Sequence, residues 1–162
     1  MKIPLITIPT VYVLDQASKV FMTHWLEGGL RHVTVIPGFF HFGYALNSGA
    51  AFGILQGRSV LLGLIAFLAL ATILWFRKEF FGTTPLQQFA GGLMVAGILG
   101  NVTDRLRQGA VIDFLEFHFG PYHYPNFNVA DSAICVGVGL FLLLSFLNPT
   151  PSQKPKPSNP SD

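Results

Sequence analysis

Four runs of predominantly apolar residues divide the chain, and their lengths predict four membrane-spanning helices. A helix that crosses a hydrocarbon core of ~30 Å needs about 20 mainly apolar residues. The second run is apolar throughout, which indicates a lipid-facing helix, whereas the third is rich in glycine and alanine and is expected to pack closely inside the bundle. The expected spans are residues 3–26, 60–76, 86–102 and 129–147.

The first run allows one alternative, a secretory signal peptide, because Lys2 precedes a short apolar stretch. Polar residues between Asp15 and Lys19 interrupt that stretch, and no small-x-small cleavage site follows promptly. We therefore interpret the first run as a span that stays in the protein.

Two long aromatic-rich connections, residues 27–58 and 105–128, join these runs. Residues 33–44 alternate around a Pro-Gly turn and predict one or two short strands, whereas residues 105–128 suit an interfacial loop. We expect an all-α membrane protein, one domain over residues 1–147, with four transmembrane helices and a small β-rich cradle between helices 1 and 2. Residues 148–162 are rich in Pro, Ser and Lys and predict a disordered tail.

Composition agrees with a membrane protein and excludes several other classes. The chain is 51% apolar, only 11% charged, and has a mean hydropathy of +0.50, whereas soluble domains carry roughly 25% charged residues. A net charge of +2 is too small for a nucleic-acid-binding surface. The single Cys135 excludes an internal disulfide, and we expect it to be buried in the fourth span. The five histidines are scattered among aromatic residues, so we interpret them as interfacial side chains and expect no metal site.

Six of the eight acidic residues fall on one side of the membrane if the four spans are correct. Asp113 lies in the second connection and Asp131 begins the fourth span, so both can meet at one interface. Two carboxylates held close together share a proton, which suits one to act as general base and the other as general acid. The purely structural alternative is that Asn128 and Asp131, three residues apart, only cap a helix.

Other polar residues have helical spacing. Asn101, Asp104, Arg105 and Gln108 make one stripe if the third helix continues that far. Asp15 and Lys19 are interpreted as a structural i,i+4 ion pair rather than a catalytic pair.

From the residues alone, other functions stay open. A serine protease is disfavoured, because no GxSxG motif or clear Ser–His pair is present. A small transporter or proton-coupled channel is disfavoured, because the polar residues gather at one interface instead of crossing the bilayer. A structural subunit is disfavoured by the many costly polar groups.

Five motifs, in this order, resemble bacterial lipoprotein signal peptidase (signal peptidase II). They are DQxSK from Asp15, NSGAAFG from Asn47, GNxxDR from Gly100, VxDF from Val111 and FNxADS from Phe127. Each motif is weak alone, but the series covers about residues 12 to 135. The resemblance implies an aspartyl endopeptidase that removes the signal peptide from diacylglyceryl-modified prolipoproteins, cutting just before the lipidated cysteine.

The resemblance also implies roles for individual residues. The catalytic dyad maps onto Asp113 and Asp131, with no cofactor. The segment 39–44 corresponds to a periplasmic cradle, and residues 105–128 correspond to a mobile flap. Substrate-binding or supporting positions map onto Asp15, Lys19, Asn47, Gly49, Asn101, Asp104, Arg105, Asn128 and Ala130.

The expected setting is the bacterial inner membrane, with both termini cytoplasmic and the active site at the periplasmic face. Basic residues are nearly balanced between the two sides, so they decide little about orientation. Expected partners are diacylglyceryl prolipoproteins, membrane lipids and globomycin-type cyclic-peptide inhibitors, and we expect a monomer. Within the dyad, we predict that Asp131 carries the charge, because it begins a helix, and that Asp113 holds the shared proton.

Overall fold

A computed structural model describes residues 2–27 and 32–147, so the tail predicted to be disordered lies outside the described residues. Helices dominate and a small antiparallel sheet completes the fold. The elements in chain order are α1 (Ile3–Glu27), β1 (His32–Ile36), β2 (Phe40–Asn47), a 3-10 turn (Ala51–Gly53), α2 (Ser59–Trp75), α3 (Arg77–Phe81), α4 (Pro85–Gln108), β3 (Val111–Phe119), β4 (Tyr122–His123) and α5 (Val129–Leu147).

Local sequence signals explain where α4 begins and ends. The Thr84 side chain accepts from the Gln87 backbone, and the Gln87 side chain accepts from the Thr84 backbone, a reciprocal capping box before Pro85. The helix ends at Gly109, which adopts a left-handed conformation with φ 73°. The helix extends beyond the predicted third span, residues 86–102, because its polar last turns find partners inside the protein, and the polar stripe from Asn101 to Gln108 therefore lies on one helix.

Small residues let α4 pack at the centre of the bundle, as the sequence predicted. Residues 90–97 of α4 are all buried. A side chain at Gly97 would collide with the backbone oxygen of Ala130, and one at Gly137 would lie 2.8 Å from the backbone oxygen of Ala90. These contacts bring the backbones of α4 and α5 together.

The helices differ in how well they suit lipid by themselves. Within the described residues, α5 is the one helix that is both long and apolar enough to cross a membrane, and α2 is apolar but has 17 residues. In α2, side chains such as Val60 and Phe67 point away from the protein. The long helices α1 and α4 carry charged residues that are buried against each other.

The sheet draws on both long connections. Its order is β1-β2-β3-β4, and β2 and β3 are antiparallel, with Asn47 opposite Val111 and Phe40 opposite Phe117. The prediction of a loop over residues 105–128 was wrong, because residues 105–108 extend α4 and residues 111–119 form β3. The cradle therefore includes β3 and β4, which follow α4, as well as the two strands predicted between the first two long helices.

The two faces of this sheet have different chemistry, because successive side chains of a strand point to opposite sides. One face is aromatic: the Phe40 ring stacks on Phe117, which stacks on Phe127. The other face is polar and gathers His32, His41, Glu116, His118 and His123. The histidines are scattered along the sequence, but strand pairing brings four of the five together.

Candidate active site

Asp113 lies in β3 with its carboxylate buried and held by two amide side chains. Asn47 donates to Oδ2 at 2.9 Å and Asn128 donates to Oδ1 at 2.8 Å. Asn47 comes from β2, next to β3 in the sheet, and Asn128 directly precedes α5. Sheet and helix therefore meet at this carboxylate.

Asp131 lies in the first turn of α5. Asn101 of α4 donates to its Oδ1 at 2.7 Å, and the Asn128 backbone N–H donates to its Oδ2 at 3.3 Å. Asn128 Oδ1 in turn accepts from the Asp131 backbone N–H at 2.9 Å. The helix cap that the sequence predicted at Asn128 and Asp131 is therefore present. In addition, Asn128 contacts Asp113, so one residue touches both carboxylate-bearing side chains.

The environment of Asp113 makes it easier to protonate than an ordinary aspartate. Burial and the neighbouring Asp131 carboxylate raise the pKa of Asp113 to about 7, although the hydrogen bonds from Asn47 and Asn128 oppose the shift. A carboxyl group with such a pKa can hold a proton near neutral pH. This agrees with the predicted assignment of the shared proton to Asp113, which stays a prediction.

A second carboxylate pair lies beside the first and has a cation between its members. Lys19 Nζ is 2.9 Å from Asp15 Oδ2 and 2.9 Å from Asp104 Oδ2. Asp15 Oδ1 also accepts from the Ala130 backbone N–H at 2.9 Å, which joins α1 to α5. Gly100 provides the space for the Asp15 carboxylate, because a side chain at this position would collide with it. The predicted i,i+4 ion pair of Asp15 and Lys19 is present. The sequence did not indicate that Lys19 also pairs with Asp104.

Asn101 connects the two carboxylate pairs. Its Oδ1 accepts from Lys19 Nζ at 3.1 Å and from Asn128 Nδ2 at 3.3 Å, while its Nδ2 donates to Asp131. The two acceptor contacts orient the amide so that its N–H₂ group faces Asp131. Asn101 is therefore a positioning residue for that carboxylate.

Arg105 and Gly49 position the turn that closes the site. Arg105 Nη2 donates to the Gly49 carbonyl at 3.2 Å, and the Gly49 N–H donates to Asn47 Oδ1 at 2.9 Å. A Cβ at Gly49 would lie 2.8 Å from the Ile54 carbonyl oxygen, so this close approach requires glycine. Arg105 Nε is buried and has no hydrogen-bond partner within residues 2–27 and 32–147.

These groups surround a cavity of about 320 Å³. Asp113, Asp131, Asn47, Asn101 and Arg105 all line it, whereas Asp15, Lys19 and Asp104 do not. The wall is otherwise mainly apolar and aromatic, which suits a ligand that combines a peptide with a lipid.

Three cavity residues were not anticipated. Phe52 and Tyr124 both line it, and their ring centroids are 6.4 Å apart. The feature of the sequence that could have indicated these two residues is the high aromatic content of the connections 27–58 and 105–128. The prediction that Cys135 is buried was wrong: Cys135 is exposed and lines the cavity, one helical turn after Asp131, which lines it too.

Residues 7–147 match the family model of signal peptidase (SPase) II. The chain belongs to the signal peptidase II family. Among curated proteins it is 44% identical to a lipoprotein signal peptidase of Symbiobacterium thermophilum, over 81% of this chain and 86% of the relative. It is 39% identical to a lipoprotein signal peptidase of Syntrophotalea carbinolica, over 88% of this chain and 89% of the relative.

Solved structures agree with this family. A bacterial membrane enzyme determined by the in meso method at 2.3 Å resolution superposes with a TM-score of 0.78 and 30% sequence identity, covering 98% of this chain and 96% of that one. The chain is therefore a membrane protease of the lipoprotein signal peptidase family, whose activity is the removal of signal peptides from prolipoproteins.

Proposed function

We propose that Asp113 and Asp131 form the catalytic dyad and that the chain cuts diacylglyceryl prolipoproteins just before the lipidated cysteine. The observation that carries this proposal is the placement of two buried carboxylates on one cavity, held by Asn47, Asn101 and Asn128. Amide donors orient the carboxylates without neutralising the pair, so one proton can be shared between them.

The proton inventory follows from this arrangement. Asp131, at the N-terminus of α5, is the ionised partner and takes a proton from the attacking water. Asp113, the protonated partner, donates its proton to the carbonyl oxygen of the scissile peptide. When the C–N bond of the tetrahedral intermediate breaks, Asp131 donates a proton to the leaving amine and Asp113 takes back the proton of the hydroxyl. The dyad returns to its singly protonated state.

Other residues position the substrate and the dyad. Arg105 lines the cavity, and its buried Nε has no partner in the described residues, so its guanidinium is suited to donate to a substrate carbonyl. Asn101 and Asn128 orient Asp131, and Asn47 orients Asp113. Gly49 shapes the turn, while Asp15, Lys19, Asp104 and Ala130 hold α1, α4 and α5 together behind the site.

The membrane arrangement completes the proposal. Four spans, residues 3–26, 60–76, 86–102 and 129–147 as predicted, cross the inner membrane as a monomer with both termini in the cytoplasm. The cavity then opens at the periplasmic interface, where the acyl chains of the substrate stay in lipid and water reaches the dyad. Reporter fusions after residues 40, 80 and 120 are expected to report periplasm, cytoplasm and periplasm, respectively.

The direct test is to incubate the purified protein with a diacylglyceryl-modified prolipoprotein and with its unmodified form. We expect signal-peptide release from the modified substrate alone, a new N-terminus at the lipidated cysteine, and inhibition by globomycin-type cyclic peptides. Release at another bond, or equal release from both substrates, would contradict the proposed specificity while leaving the family membership intact.

A further inference from the structure

The polar face of the sheet contains a cluster of imidazoles and one carboxylate that the proposed reaction does not use. Glu116 Oε1 is 2.9 Å from His118 Nε2, and Glu116 Oε2 is 3.4 Å from His32 Nε2. The His118 ring stacks on His123 with centroids 3.9 Å apart, and the His41 ring lies 4.5 Å from His118. Four strands thus each supply at least one metal-binding residue type to one place.

Three of these side chains have the geometry of a ligand set. Glu116, His118 and His123 each offer one ligand atom, and all three atoms lie within 4.8 Å of one another. A tetrahedral zinc ion with bonds of ~2.0–2.2 Å needs ligand atoms about 3.4 Å apart. Because the His118 and His123 rings are stacked nearly parallel, coordination of one ion by both requires the exposed His123 ring, on a two-residue strand, to turn out of the stack.

The backbone makes room for this cluster. A Cβ at Gly43 would lie 2.8 Å from Glu116 Oε2, so glycine lets the carboxylate lie flat against β2. Glu116 and His118 are mostly shielded from solvent, with 18% and 17% of their side chains exposed. Partial burial lowers the competition of water for the ligand atoms, which favours coordination.

A further imidazole lies beside these three side chains. The His41 ring is 4.5 Å from the His118 ring and 4.6 Å from the His32 ring. His41 Nδ1 bonds Thr34 Oγ1 at 3.1 Å, and its buried Nε2 has no hydrogen-bond partner among residues 2–27 and 32–147. Four imidazoles are therefore concentrated at one face of the sheet.

We propose that Glu116, His118 and His123 bind one divalent transition metal ion of the zinc class, with water as the fourth ligand. Two imidazoles, one carboxylate and an open position are a ligand set that zinc accepts. His32 acts as an outer partner that orients Glu116.

The position of the metal defines its role. Asp113 and Glu116 are three residues apart on β3, so their side chains leave the strand on opposite faces. The ion is therefore separated from the dyad by the sheet itself. By joining β3 to β4 it braces the strand that carries Asp113, and it takes no part in peptide hydrolysis.

The test uses the full chain, purified through a tag without histidine, stripped with a chelator and titrated with Zn²⁺ or Co²⁺. We expect one equivalent bound, a visible Co²⁺ spectrum of low coordination number, and a higher Tm with metal. A chain that binds neither Zn²⁺ nor Co²⁺, or a Tm that the metals leave unchanged, would overturn the proposal.

Matched variants locate the site. His123→Ala changes an exposed residue and is expected to fold and to lose the Co²⁺ spectrum, as is Glu116→Gln. His32→Ala is expected to weaken binding by about tenfold or more, as loss of an outer partner does. His24→Ala, on α1, and Asp113→Asn are expected to bind metal like the unchanged protein. Full binding in both His123→Ala and Glu116→Gln would place the metal elsewhere and reject the site.

Discussion

Two pairs of buried carboxylates lie side by side where the middle of α1 packs on the last turns of α4 and the first turn of α5, and they differ in what compensates their charge. Asp15 and Asp104 are 0% and 3% exposed and share the ammonium group of Lys19. Asp113 and Asp131 are held by amide groups of asparagine side chains and backbone. The first pair is outside the cavity and the second lines it.

The difference separates a structural use of buried charge from a reactive one. A cation between two carboxylates offsets their negative charge, and because Lys19 and Asp15 are on α1 and Asp104 is on α4, the first pair joins helices. Neutral donors leave charge repulsion in place, so the second pair is driven to hold a proton. Arg105 does not remove this difference, because its guanidinium hydrogen-bonds the carbonyls of Asn101 and Gly49.

The largest expected effect comes from removing one carboxylate of the reactive pair. Asp113→Asn and Asp131→Asn are each expected to lower the rate of cleavage at least about a hundredfold, the usual contribution of a general acid or base. Both proteins are expected to accumulate in the membrane. Glu79→Gln changes an exposed residue of α3 and is the matched control, with an unchanged rate expected. Wild-type turnover by either dyad variant would rule out the dyad.

The next effect is on stability and comes from removing the cation of the structural pair. Lys19→Met leaves two buried carboxylates uncompensated and is expected to lower the free energy of unfolding by about 3–5 kcal/mol. Thermal unfolding in detergent measures this loss, with exposed Lys78→Met as the control. An unchanged Tm would show that Lys19 does not compensate the pair.

Asp104→Ala probes the same pair from the other side. It removes one partner of Lys19 and the acceptor of the Ile112 backbone N–H, so we expect a lower Tm together with a lower cleavage rate. Asp15 still pairs with Lys19 in this variant, so the Tm is expected to fall less than in Lys19→Met. If Tm and rate were both unchanged, the supporting role would be wrong.

The pH dependence of cleavage tests the proton on the reactive pair. Since the pKa of Asp113 is raised to about 7, the dyad keeps its proton below that pH and loses it above, and kcat/KM is expected to fall on the alkaline side. Asn47→Ala removes a hydrogen bond that lowers this pKa, so the alkaline limb is expected to move up by about one pH unit or less. A shift to lower pH would contradict the arrangement.

The smallest expected effect concerns access to the reactive pair, Asp113 and Asp131. Cys135 lines the cavity, so N-ethylmaleimide is expected to slow cleavage partially by occupying space beside Asp131. Cys135→Ala is expected to retain activity and to be insensitive to the reagent. Equal inhibition of both proteins would mean that the reagent acts elsewhere.

A chelator is expected to lower Tm by emptying the proposed sheet site, while the dyad continues to turn over substrate.

Local patterns determined the helices and the identity of the key carboxylates. Runs of apolar residues located α2 and α5 to within one residue of their observed bounds, and small residues marked α4 as the central helix. Asp113 and Asp131 could be singled out because ionisable groups beside apolar runs are costly at membrane depth. These are short-range signals, carried by neighbours in the chain.

Tertiary structure alone decided which distant residues meet. Lys19 pairs with Asp104 because α1 packs on α4, and His32 meets Glu116 because strand register aligns β1, β2 and β3. Cys135 faces the cavity because close packing of α4 and α5 determines which side of α5 remains open. Such pairings depend on helix rotation and strand register, and a shift of one residue would send each side chain to another face. No local pattern specifies them.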